Sequence, residues 1–239
     1  MPDVAVFRPD DGRLARAADY LESRGADPVG DPMLAVAPTG NAPRDDAEYV
    51  VFTSKTGAEL VGDAGWTPGD ATVCAIGEST RVALETEGFG VGVVPGEYSS
   101  TGLVNVLRDR VGGLRVEVAR SDHGSDVLLD GLTEAGAYVH ETVLYRLTRP
   151  SESGASTERA ASGDLDAALF TSSLTVEHFL DAADERGQRA QAVEGLNRAV
   201  VGTIGEPTRQ TAEERGIDVD VVPAEASFEA LADAVLDRL

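Results

Sequence analysis

The chain has 239 residues, with 42 acidic against 20 basic side chains for a formal charge of −22, and 42% of it is hydrophobic. That length and apolar content suit one large domain or two of roughly 100–120 residues, while the charge speaks against nucleic acid, whose phosphates call for a basic face. No apolar run approaches the ~18 residues of a membrane span, and the lone Cys74 excludes an internal disulfide, as expected in a reducing cytoplasm.

The opening stretch, MPDVAVFRPDDGRL, has no basic patch followed by an apolar run, so no secretory signal is expected. Residues 4–8 (VAVFR) predict a strand, residues 13–24 a helix ending at Gly25-Ala26, and residues 33–38 an extended stretch closed by Pro38. Residues 48–54 predict a second strand ending in Phe52-Thr53-Ser54. Residues 72–76 predict a third, with Cys74 expected as an inert core thiol rather than a nucleophile. This third strand runs into Ile76-Gly77-Glu78-Ser79-Thr80, where the glycine is expected to permit a tight turn, and Val93-Val94-Pro95 with Ser99 follows.

The pattern then repeats. Residues 116–120 (VEVAR), a helix over 125–134, Gly136-Ala137 and an extended stretch over 143–150 restate the opening unit. Phe170-Thr171-Ser172 restates Phe52-Thr53-Ser54, and Ile204-Gly205 with Thr208 restates Ile76-Gly77 with Thr80. Val221-Val222-Pro223 with Ser227 lies 128 residues after its counterpart, the same offset as the preceding pair. Two unit types, each used twice, therefore alternate as A (3–38), B (48–111), A′ (115–150) and B′ (166–239). Strands alternating with helices predict an α/β protein with parallel sheets. An A with a B completes a doubly wound sheet, and both the sequential pairing and the crossed pairing (B with A′, A with B′) are open. The segments 33–47 and 146–165, rich in Pro, Gly, Ser and Asp, read as linkers that flank 48–145 symmetrically and suit an inserted domain.

A Ser or Thr where a strand runs into a helix can cap the helix. Alternatively, the carboxyl ends of strands and the open N–H groups of helix N-termini suit a ligand carboxylate. Lys55 is the sole lysine among nineteen arginines, kept either as a compact charge or by chance. Tyr145 reads as a packing residue or a hydroxyl donor. His123, His140 and His178 share no metal-ligand spacing, so no metal site is expected, and Ser121-Asp122-His123 makes no triad by adjacency alone. The acids are spread along prospective helix faces rather than gathered in a tail, as in cytoplasmic proteins of salt-loving organisms; an ordinary acidic enzyme is the plainer alternative.

These marks, in order from Phe7-Arg8-Pro9 through Phe52-Thr53-Ser54, Ala75-Ile76-Gly77 with Thr80, Ser99, Val143-Leu144-Tyr145, Phe170-Thr171-Ser172 and Ile204-Gly205 with Thr208 to Ser227, resemble the uroporphyrinogen-III synthase family. One departure is Thr56, where the family often has Asn or Arg. The resemblance implies two doubly wound α/β domains joined by a two-stranded linker, one of 1–38 with 150–239 and an inserted one of 39–149. It implies a cytoplasmic, cofactor-free monomer with its active site between the domains, no nucleic-acid or membrane partner, and hydroxymethylbilane as substrate. That linear tetrapyrrole would lose water and close with its last ring inverted, in tetrapyrrole biosynthesis. Tyr145 maps to the family's cleft tyrosine, able to donate to the leaving hydroxyl. Thr53, Ser54, Thr80, Ser172 and Thr208 map to positions that could hold substrate carboxylates, with Arg8, Lys55, Ser99 and Arg120 as further candidate contacts. The rival expectation is a non-enzymatic two-domain small-molecule binding or sensor module.

Overall fold

The structure, a computed structural model, describes residues 1–239. In chain order the first segment forms β1 (Asp3–Phe7), α1 (Arg13–Ser23) and β2 (Asp27–Gly30), and β3 (Ala35–Pro38) follows. Next come β4 (Tyr49–Phe52), α2 (Lys55–Asp63), β5 (Thr72–Ala75), α3 (Glu78–Thr86), β6 (Val91–Val93), α4 (Ser100–Leu107), β7 (Arg115–Ser121), α5 (Val127–Glu134) and β8 (Tyr138–Thr148). The last segment forms α6 (Ala155–Ser162), β9 (Ala167–Phe170), α7 (Ser173–Glu185), α8 (Arg189–Leu196), β10 (Val200–Thr203), α9 (Glu206–Glu214) and α10 (Phe228–Leu236). Two compact units result: Met1–Ala35 with Thr148–Leu239, and Val36–Leu147. Their limits lie two or three residues from the expected ones.

The discontinuous unit carries a sheet in the order β10-β9-β1-β2, all parallel, with Val221 bridged to Gly202 beyond β10. Strand β1 thus pairs with strands of the first and last segments, the crossed arrangement. Alternate side chains serve opposite faces, which is why these strands read as continuous apolar runs. Val4, Val6, Ala167 and Leu169 pack with Leu21 of α1 and Leu231 and Val235 of α10. Ala5, Phe7, Ala168 and Phe170 pack with Phe179 of α7, Leu196 of α8 and Ala212 of α9. Phe7 and Phe170 stack at 4.6 Å with Phe179 edge-on to both, each fully buried ring contributing about 1.5–3 kcal/mol. Gly202 is required by packing: a Cβ there would lie 2.5 Å from Val235 Cγ2.

The continuous unit carries a sheet in the order β3-β8-β7-β4-β5-β6, parallel from β8 to β6. Val50 and Phe52 face α2 and α3, while Val51, Cys74 and Val118 face α4 and α5. Beside β8, Thr39 donates its N–H to the Leu144 carbonyl at 3.0 Å and its hydroxyl to that of Val143 at 2.7 Å.

Two expectations need correction. Residues 155–162, read as linker, form α6, because Gly195 of α8 lets the two helices touch; a Cβ on Gly195 would fall 1.7 Å from the Ala160 carbonyl oxygen. The chain entering α6 is then pinned by buried Asp31, which accepts the N–H groups of Gly154 and Ser156, both at 2.8 Å, and the Ser156 hydroxyl. Gly77 makes no tight turn either. Its backbone is extended, at φ −170°, and what favours glycine is Tyr98, whose Cβ would lie 3.2 Å from an added methyl and would have to give way slightly.

Candidate active site

In the continuous unit the chain runs outward from β4 to β5 and β6 on one side, and from β7 to β8 on the other. The strand order therefore reverses between β4 and β7, and in open α/β sheets ligands bind beyond the carboxyl ends of such a pair. A cavity of about 230 Å³ lies there, lined by Thr53, Ser54, Ile76, Ser100, Arg120 and Tyr145, with the 121–125 loop along one side.

Each wall follows from local rules. Ser54 is the N-cap of α2, its Oγ accepting the Gly57 N–H at 3.0 Å, which leaves the N–H groups of Lys55 and Thr56 without helical partners. Ser99 caps α4 in the same way through Gly102 and donates to Glu97 at 2.8 Å. Tyr145 comes from β8, where a register shift after Arg120 sets it opposite Ser121. It is 6% exposed, and its hydroxyl donates to Ser54 Oγ at 3.0 Å. One hydroxyl of the cavity is thus already aimed at another, with a helix N-terminus behind it.

Arg120, 5% exposed, has its donors engaged. Nε reaches Glu141 at 2.5 Å, Nη1 the Ser125 carbonyl at 2.6 Å and Nη2 Asp126 at 3.5 Å. The guanidinium therefore braces the loop along the cavity. Asp122 holds the loop from the other side, accepting the Leu147 N–H at 3.0 Å and lying 2.8 Å from His123 Nδ1. Desolvation pushes the Asp122 carboxyl up, but the His123 and Leu147 bonds outweigh it and hold the group below the usual carboxylate range. Cys74 lies in the core, its thiol pushed up to about 12 by burial.

The cavity gathers Thr53, Ser54, Arg120 and Tyr145, but not every candidate. Lys55 is exposed on α2 and paired with Glu59 at 3.2 Å. Thr80 is buried in the first turn of α3. In the discontinuous unit Ser172 caps α7 through Thr175, Thr171 donates to the Phe7 carbonyl at 3.1 Å, and Thr208 is buried in α9. Arg8 lines a separate cavity in that unit. Ser100 is a cavity residue that motif reading missed; its place at the start of α4, directly after the capping Ser99, was the available signal. The duplicated loops also share an ion-pair device. Arg81 lies between Glu78 and Glu85, and Arg209 between Glu206 and Glu213, which raises both guanidinium pKa values.

A family model described as uroporphyrinogen-III synthase HemD matches residues 15–233. A protein of Methanothermobacter thermautotrophicus, provisionally named uroporphyrinogen-III synthase, is 31% identical over 230 residues, covering 90% of each chain. One of Archaeoglobus fulgidus with the same provisional name is 26% identical over 231 residues, covering 95% of each. Among solved structures, a mutant uroporphyrinogen III synthase from the extremely thermophilic bacterium Thermus thermophilus matches with a TM-score of 0.69 at 18% identity. The Helicobacter pylori uroporphyrinogen-III synthetase matches with 0.68 at 16%; both alignments cover the whole of both chains, and at these identities they establish the fold.

Proposed function

The chain belongs to the uroporphyrinogen-III synthase family, and from that premise we propose that it converts hydroxymethylbilane to uroporphyrinogen III. The reaction removes the terminal hydroxyl as water, and the resulting electrophilic azafulvene carbon is attacked by a substituted carbon of the last pyrrole. The spiro intermediate then fragments and recloses with that ring inverted. Spontaneous closure without inversion competes, so the enzyme's work is chiefly positioning, for which effective molarities can reach about 10⁵–10⁸ M.

The observation that carries this reading is the Tyr145 hydroxyl in the strand-end cavity, 3.0 Å from Ser54 Oγ. A phenol hydroxyl can donate its proton as the C–O bond breaks. To do so Tyr145 would turn its hydrogen bond from Ser54 to the substrate, while Ser54 keeps the Gly57 N–H. Thr53, Ser54, Thr80, Ser99, Ser172 and Thr208, with the open N–H groups at their helix starts, would supply donors to the eight substrate carboxylates. Fixed backbone dipoles hold anions without a basic surface, which suits a chain of charge −22. Arg120 would act by holding the cavity loop. We read the protein as a cytoplasmic monomer working without cofactor, with an acidic surface adapted to salt.

Purified protein given fresh hydroxymethylbilane, with neither metal nor nucleotide added, should yield the type III isomer, whereas uncatalysed closure yields type I. Isomer analysis after oxidation to porphyrin separates the two. Type I alone from the unmutated protein in molar salt would overturn the enzyme reading and favour a binding module of the same fold.

A further inference from the structure

The discontinuous unit has its own reversal of strand order, between β1 and β9. Arg8 follows the end of β1 and opens onto a cavity of about 370 Å³ that Arg13 and Arg16 of α1 also line, together with Ser227, Phe228 and Glu229 at the start of α10. Three guanidinium groups on one cavity are out of keeping with a chain that has two acids for every base.

Their partners leave the cavity short of negative charge. Asp11 takes Arg13 through Nε at 2.8 Å and through Nη2, and Arg16 Nε rests on the Gly12 carbonyl at 3.2 Å. Arg8 has neither an ion pair nor a hydrogen bond. Its Nε is buried without an acceptor, and the guanidinium stacks 5.1 Å from the Phe228 ring centre. Glu229 is the one acid among the lining residues, so even with Asp11 held by Arg13 three positive groups have only two negative ones about them. Burial first, and then the neighbouring Arg13, lower the Arg8 pKa. The backbone adds to this. Ser227 caps α10 through the Ala230 N–H, leaving those of Phe228 and Glu229 open, and α1 also begins at the cavity.

We propose that Arg8, Arg13 and Arg16 form a carboxylate-binding site, in which Arg13 and Arg16 are specificity residues not marked by any motif. On the functional reading above, on which this part rests, the site takes one acidic side chain of the tetrapyrrole substrate. Planar guanidinium forks suit a carboxylate's two oxygens, and the contact with Phe228 limits the freedom of the Arg8 fork.

The test compares the intact protein with Arg16→Gln and Arg13→Gln, both at positions on the exposed side of α1, and with Arg8→Lys. Calorimetric titration with tricarballylate, and separately with inorganic phosphate, reads the anion site without turnover. Turnover of hydroxymethylbilane reads KM and kcat for type III product. Tricarballylate should bind the intact protein and each substitution should weaken it about tenfold or more, the effect of one lost charge-assisted bond. KM should rise with kcat nearly unchanged, since a contact that only holds a carboxylate serves ground state and transition state alike. No tricarballylate binding to the intact protein, or equal binding by all variants, would overturn the site. Binding of phosphate but not tricarballylate would overturn the carboxylate assignment. Arginine-dependent tricarballylate binding with unchanged KM would overturn its use by the substrate. Should the intact protein give only type I product while binding tricarballylate through these arginines, the site would stand and the functional reading would fall.

Discussion

Replacing Tyr145 with Phe separates what the hydroxyl does for the fold from what it would do for the reaction. The ring stays buried and its packing with Leu144 and the α2 side of the sheet is kept. Only one neutral hydrogen bond, 3.0 Å long to Ser54 Oγ, is lost, and that oxygen still accepts the Gly57 N–H. The expected loss of stability is about 1 kcal/mol, a shift of roughly 2–4 °C in Tm for a chain of this size. A proton donor in the transition state contributes about 10²–10⁴ in rate, or some 3–5 kcal/mol, well beyond the structural effect. The variant should therefore melt nearly as the parent does and turn over hydroxymethylbilane at least about a hundredfold more slowly, while its enzymatic product remains type III, because positioning survives. Stopped assays with isomer analysis, alongside thermal melts, decide the matter. An unimpaired variant would remove Tyr145 as the acid. Slow conversion to type I alone would assign the residue to steering the closure instead.

Three further outcomes are expected. Lowering salt from molar to dilute should depress Tm, because dense like charge is screened over about 3 Å at 1 M but over about 30 Å at 0.01 M; a flat melting temperature would leave the −22 charge without that role. Cys74 should resist a thiol reagent in the native state and react once the protein is unfolded. Its raised pKa makes the linked stability full below the unfolded-state pKa near 9 and lost progressively as pH rises toward about 12; fast native labelling would contradict the burial. Asp31→Ala should cost about 2–4 kcal/mol in chemical denaturation, since it strands the buried N–H groups of Gly154 and Ser156; a loss under about 1 kcal/mol would mean that the segment needs no such anchor.

The duplicated strands were legible because parallel strands buried on both faces are continuous apolar runs, and because a serine marks where four of the helices begin: Ser54, Ser99, Ser172 and Ser227 all prove to be caps. Helix α6 was not, since its Ser- and Ala-rich sequence is linker-like and its formation depends on Gly195, more than thirty residues later, which opens the space beside Ala160. The cavity was half legible. Thr53, Ser54 and Tyr145 carry motif signals, but their meeting depends on the register shift after Arg120, which no local pattern encodes. Arg13 and Arg16 were invisible as a pair of site residues because their cavity exists only where α1 meets α10, some two hundred positions away.

The crossed arrangement also sets an order of events during synthesis. Strand β1 sits in the middle of its sheet, yet its neighbour β9 is made only after the whole of Val36–Leu147. At about 5–20 residues per second, the roughly 110 residues of the inserted unit alone delay that pairing by on the order of 10 s. Until then β1, β2 and α1 have two strands and one helix, too little to stand alone. The inserted unit has all its strands from the moment β8 emerges, and by setting β3 beside β8 it closes the long loop that would otherwise separate the two halves of its host. A ribosome stalled after residue 147 has cleared its exit tunnel should therefore display a protease-resistant core spanning 36–147 and a cleavable N-terminal arm.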